Sequence, residues 1–136
     1  MVTNPKLDQF LNMEYMRLET FKRSGQSVAT PVWFVDDGQV IYVRSYANSG
    51  KVKRMRNNPH VRFAPSDPLG HPKGVTIEGN ARLVDGMKSV QVSQLLYRKY
   101  GLMKMSFDLW GRNKAARLGG LRNRGLIADS KIERKG

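Results

Sequence analysis

Thr30-Pro31-Val32-Trp33-Phe34, then Asp37-Gly38, Val40-Ile41-Tyr42-Val43-Arg44-Ser45 and Asn48-Ser49-Gly50-Lys51-Val52-Lys53-Arg54 form the stretch on which the fold turns. It reads as strand, turn, strand and basic helix start. Asp37-Gly38 is a strong hairpin signal. Val28 to Val35 is apolar on both faces, so it is expected inside a sheet or barrel. Pro31 lacks an N–H and predicts interrupted pairing there, which leaves backbone groups for a ligand. The Ser45 hydroxyl ends the second strand, and six residues later Lys51 lies in the first turn of a helix. Helix N-termini present N–H groups and a positive dipole end, which suits a phosphate. The flat apolar strand would suit a ring attached to that phosphate.

Working outward, Asn4-Pro5 resembles an N-cap with proline at the first helical position, opening a short helix to about Asn12. Met16 and Leu18 set against Arg17 and Glu19 predict a first strand, with Ser24-Gly25 as its turn. Gly50 to Asn57 is a short basic helix ended by Pro59, and Val61 to Ala64 is a further strand. Pro65 to Gly74 reads as a loop. Val75 to Asp85 alternates cleanly, with Val75, Ile77, Gly79, Ala81 and Leu83 on one face. Met87 to Met103 is an amphipathic helix with Val92, Leu95, Leu96, Tyr100 and Met103 on its apolar side. A second helix over Phe107 to Leu118 and a last strand over Leu126 to Ile132 complete the chain. Antiparallel hairpins dominate, which predicts a mainly β (α+β) fold, a small barrel with peripheral helices.

The length of 136 residues fits one domain over 1–136, and 40% hydrophobic residues suffice for one core. The absence of cysteine removes disulfides, thiol catalysis and thiolate metal sites. A polar start and the lack of any apolar run near the ~20 residues of a bilayer span give the expectation of a cytoplasmic protein without membrane contact. The formal charge is +13, from 24 basic and 11 acidic residues. Such a field attracts anions of several kinds, from nucleic acid to phosphorylated small molecules. The basic residues do not interleave with aromatics on a strand face, so nucleic acid is the distant alternative.

Motifs for other chemistries are missing. There is no nucleophile elbow, Walker loop or dinucleotide glycine fingerprint. His60 and His71 are the only two histidines, without carboxylates at metal-ligand spacing, so no metal site is expected. No side chain stands out as catalytic, and an enzyme here would borrow its chemistry from a cofactor. His71 reads as exposed, and Glu78 with Arg82 reads as a structural pair on one strand face. Lys51 and Arg54 share a side of their helix. A cation at Lys51 costs about a few tenths of a kcal/mol unless an anion is near.

Five segments in order resemble the pyridoxamine-phosphate-oxidase-like split β-barrel flavoproteins. They are Leu18-Glu19-Thr20-Phe21 with Gly25, Thr30 to Phe34, Gly50 to Arg54, Asn58-Pro59-His60-Val61-Arg62, and Glu78 to Leu83. Within that superfamily the chain is similar to the small oxidoreductases that use the deazaflavin coenzyme F420. The resemblance implies an FMN-binding-like split barrel and a homodimer with cofactors at the subunit interface. It places Thr30, Pro31, Val32 and Trp33 beside the cofactor ring, and Ser45, Ser49, Lys51 and Arg54 at its phosphate. It implies a hydride transfer between F420 and an unsaturated small-molecule substrate. An FMN or FAD flavin reductase and a non-catalytic flavin or haem carrier are the alternatives on the same fold.

Overall fold

Alternation of apolar and polar residues builds the barrel strand by strand. The computed structural model describes residues 5–37, 40–101 and 127–134. In β1 (Tyr15–Phe21) the inward residues Met16, Leu18 and Thr20 are buried. β2 (Ser27–Asp36) follows a turn at which Gly25 takes φ 91°. β3 (Ile41–Tyr46) sends Ile41 and Val43 into the core. β4 (His60–Ser66), β5 (Ile77–Val84) and β6 (Ile127–Arg134) complete a closed barrel in the order β1-β2-β3-β6-β5-β4, every pair antiparallel. Gly79 makes the β5–β6 contact possible, because a Cβ there would lie 2.6 Å from the Glu133 carbonyl oxygen and 3.0 Å from Phe63.

Two helical segments add side chains to the barrel core. The short helix α1 (Pro5–Asp8) leads into a turn that drops Phe10 against Phe34 and Phe63, with ring centroids 5.5 and 5.6 Å apart. Helix α2 (Gly50–Asn57) inserts Val52 and Met55 into the same core. Helix α3 (Met87–Tyr100) lies outside, where Val92, Leu96 and Tyr100 cover Val35 and Tyr42. Buried apolar area of this kind is the main stabilising term in folding.

The bounds of α2 match the sequence expectation. Elsewhere local pairing moved the limits. α1 stops at Asp8, short of Asn12. β4 runs on to Ser66 because Pro65 and Ser66 pair with Met16 and Tyr15 of β1. β5 begins at Ile77, and Val75 is exposed with its backbone bonded to the Gln9 side chain instead. α3 ends at Tyr100, where Gly101 takes φ 82°. Met103, the helix expected over Phe107 to Leu118, Leu126 and Gly38 of the hairpin lie outside the described residues. Asp37 closes that hairpin through its carboxylate, which accepts from Val40 N at 2.9 Å.

The Glu78–Arg82 pair is not formed. Residues four apart on one strand are separated by about 13 Å, whereas cross-strand partners stand about 5 Å apart. Glu78 therefore meets its register partner Arg62 at 3.6 Å and His60 at 3.4 Å, while Arg82 meets Glu133 on β6 at 3.6 Å.

Candidate functional site

β2 and β3 pair over Phe34↔Val43, Val35↔Tyr42 and Asp36↔Ile41 only. Continued by count, that register would set Trp33, Val32 and Pro31 opposite Arg44, Ser45 and Tyr46, yet no ladder joins those residues. β3 stays in the sheet over this length by pairing with β6, Ser45 opposite Ala128 and Tyr46 opposite Ile127. β2 keeps its bonds to β1, Pro31 opposite Arg17. The two strands thus part along Pro31–Trp33, the place where proline interrupts the donor sequence. Thr30 is half-buried, Pro31 exposed and Val32 buried in the core. The Trp33 indole turns outward and stacks on Tyr100, centroids 4.3 Å apart and planes 7° from parallel. Its side chain belongs to packing, and its backbone remains part of the wall.

The residues expected at a phosphate lie at the end of β3 and in α2 with its N-cap. Ser45 is 4% exposed, and its Oγ has no hydrogen-bond partner among the described residues. A buried hydroxyl left without a partner is costly and calls for a ligand or water. Ser49 is the N-cap of α2, and its Oγ accepts from Val52 N at 3.4 Å. Its oxygen therefore serves the helix first, which leaves the O–H to donate. Lys51 follows, half-buried in the first turn.

Arg54 completes the group in a way the helix spacing did not reveal. Its Nε donates to the buried Thr20 Oγ1 at 2.7 Å, which turns the guanidinium back over the start of its own helix. A Cβ on Gly50 would lie 2.7 Å from one terminal nitrogen of Arg54, so the missing side chain is the space the guanidinium occupies. No acidic residue lies in the first turn of α2. The Arg54 guanidinium thus sits over the N-terminus of α2, where a cation opposes the helix dipole and an anion would be favoured.

Above the wall, the loop after β4 is tightly cross-linked. Asp67 accepts from Leu69 N and His71 N, and its second oxygen meets His71 Nδ1, each at 2.9 Å. These bonds, the backbone one from His71 first, hold the Asp67 carboxyl below its usual range. His71 is exposed as expected, but the sequence reading missed its carboxylate partner, although Asp67-Pro68-Leu69-Gly70 carries a turn signature. The loop rests on the wall: a Cβ on Gly70 would lie 3.5 Å from the Pro31 ring.

Behind the wall, the last turn of α3 reaches β2. Lys99 Nζ donates to the Phe34 carbonyl at 2.8 Å and sits 3.3 Å from the centroid of the Phe34 ring. Desolvation lowers its pKa to about 8 against the opposing attraction of Asp36 and Glu14. Arg44, next to Ser45, is bound bidentately by the buried Asp129 of β6, at 2.8 and 3.0 Å, and also donates to Ser93 of α3 at 2.6 Å. The partners of Asp129, Thr20 and Tyr100 were not legible in the sequence because they are distant in the chain. Trp110 and the basic stretch of Arg117, Gly119, Gly120, Arg122 and Arg124 lie outside the described residues. Among the described residues no group of His, Asp and Glu could hold a metal ion, and no helix is long and apolar enough to cross a membrane.

The sequence finds no match among curated proteins. Solved structures with the same fold include the haem storage protein HutZ of Vibrio cholerae, at 15% identity and TM-score 0.67, covering 100% of this chain and 92% of that one. A FAD-binding protein of Mesorhizobium loti is similar at 18% identity and TM-score 0.65, covering 95% and 84%. An F420 reductase is similar at 16% identity and TM-score 0.61, covering 99% and 97%. At such identities the likeness is one of fold. The sequence profile of the pyridoxamine 5'-phosphate oxidase family, however, matches residues 3–117, most of the chain. With its split barrel, the chain belongs to the pyridoxamine 5'-phosphate oxidase family.

Proposed function

We propose that the protein is a cofactor-dependent oxidoreductase that binds coenzyme F420, or a flavin (FMN or FAD) in its place, and acts on an unsaturated small molecule. The observation that carries this reading is the Arg54 guanidinium, anchored on Thr20 and lodged over Gly50 at the start of the helix that follows the Ser45 strand. The residues present fit a phosphate-bearing ring cofactor. Ser45, Lys51 and Arg54 would hold the phosphate, with the Ser49 O–H as a further donor. The backbone of Thr30 to Trp33, with Val32 behind it, would hold the ring in the split. When bound, the cofactor supplies the hydride chemistry. The chain's part is to bind, to orient and to exclude water, as a protein does for a borrowed reactive group.

The F420 reductase and the FAD-binding protein of this fold support a ring cofactor in the split. The net charge of +13 favours a cofactor with a phosphate and an acidic tail. Two chains would assemble as a homodimer with a cofactor at each side of the interface. The second reading is a carrier of flavin or haem, and the haem storage protein of the same fold supports it. Fluorescence titration of the purified protein with F420 and with FMN tests the main reading. Binding without turnover of any reducible substrate would favour the carrier.

A further inference from the structure

Tyr100 occupies a position that a backbone hydrogen bond would otherwise fill. The β1–β2 ladder ends at Tyr15↔Trp33, and the next step would pair Glu14 with Phe34. The Tyr100 hydroxyl stands there instead. It accepts from Phe34 N at 3.0 Å, and it lies 2.7 Å from the Glu14 carbonyl and 2.8 Å from the Phe34 carbonyl, either of which takes its proton. Tyr100 is 8% exposed, and burial pushes its phenol pKa well up, so the group stays protonated and keeps both roles. Its ring stacks on Trp33, one residue back along the same strand. Lys99 holds the same Phe34 carbonyl from the helix turn.

The end of α3 therefore grips β2 at Trp33 and Phe34, where the strand leaves β3 and the split begins. A hydroxyl inserted between two strands sets their separation, and the stacked ring sets the tilt of the wall. We infer that Tyr100 is a positioning residue for the ligand wall: it fixes the backbone of Val32 to Phe34 through the Phe34 amide and the Trp33 ring, and so sets affinity for the ring cofactor. The inference rests on the proposed function, in that the ligand of the wall is the cofactor proposed above.

The experiment uses the full chain in its own sequence. Affinity for FMN and for F420 is measured for this protein, Tyr100→Phe and Val92→Ala, alongside amide exchange without ligand. Val92 is buried in the same helix interface two turns before Tyr100, so it controls for a loosened helix. Tyr100→Phe keeps the stacked ring and removes the hydroxyl. It is expected to lower affinity about tenfold, the scale of one hydrogen bond, and to speed exchange of the Phe34 amide. Val92→Ala is expected to lower the melting temperature and leave affinity within about twofold, as an independent site should. Equal affinity of Tyr100→Phe and the parent, or equal loss in both variants, would overturn the inference while the proposed function stands. If the parent itself binds neither cofactor, the proposed function fails and the inference with it.

Discussion

Arg54 donates from Nε to the buried Thr20 Oγ1, and this bond aims its guanidinium at the start of its own helix, over Gly50. A cation in that place opposes the helix dipole. Thr20 reaches it from β1, 34 residues earlier, so the barrel as well as the helix positions the charge.

Replacing Arg54 by Met keeps much of the side-chain volume and removes the charge. Affinity for FMN or F420 should fall by about ten- to a hundredfold, as expected for a charge-assisted contact. Thr20→Val should fall less, since the guanidinium remains but loses its anchor. Both losses should shrink at high ionic strength, where the anion is held less tightly by either protein. Titrations at two salt concentrations check this.

Gly50→Ala separates stability from binding. Alanine is the better helix former by up to about 1 kcal/mol, so thermal stability should hold or rise. The new Cβ would claim the space of the Arg54 terminal nitrogen, 2.7 Å away. That nitrogen ends a flexible side chain, so the guanidinium moves aside and cofactor affinity drops several-fold. Calorimetry and titration on one sample give the two opposite signs.

Asp129 is a fixed point of the frame. It is 2% exposed and bound bidentately by Arg44, which also bonds Ser93, so β3, β6 and α3 meet at one ion pair. Asp129→Ala leaves a guanidinium without its partner in a half-buried place and should cost about 3 kcal/mol. Denaturant unfolding reads the loss. The paired change to Arg44→Met with Asp129→Leu should recover much of it, because an apolar pair avoids the desolvation cost.

Lys99 predicts a pH dependence of definite sign. Its pKa is lowered from 10.5 to about 8, chiefly by desolvation. Between those values the unfolded chain holds a proton that the folded chain has lost, so stability rises with pH across the window. Below pH 8 both states are charged and the desolvation penalty is felt in full. The stability of the wild type relative to Lys99→Met should therefore increase from pH 8 towards 10.5. The gain is about 1 kcal/mol or less, since the side chain is partly in solvent. Taking the difference with Lys99→Met removes the tyrosines, whose raised pKa values act in the opposite direction at higher pH.

The barrel was legible where the signal is local. Alternation in Val75 to Asp85, and a basic run from Gly50 that Pro59 ends, located β5 and α2, because neighbouring residues alone decide pleat and helix end. Of the candidate site, Ser45, Lys51 and Arg54 were proposed from chain proximity to one helix start, and the bond from Arg54 to Thr20 was not legible there. Contacts set by closure of the barrel were hidden. Arg44 and Asp129 are 85 residues apart, and Tyr100 and Phe34 are 66 apart. Glu78 and Arg82 failed as a pair because a helical spacing rule does not carry to an extended strand, where the cross-strand neighbour is closer. Trp33 lay on the expected strand, but its facing depended on α3, which no pattern near residue 33 encodes.

The central claim is that the split between β2 and β3, together with the Arg54 guanidinium over the start of α2, holds a phosphate-bearing ring cofactor. Titrating the purified protein and its Arg54→Met variant with F420 and with FMN tests it directly. The expected result is micromolar or tighter binding of one of them by the wild type, weakened at least about tenfold by the substitution, as for other charge-assisted contacts. Contradiction would come from a wild type that binds neither cofactor below the high-micromolar range, or from a variant that binds as tightly as its parent.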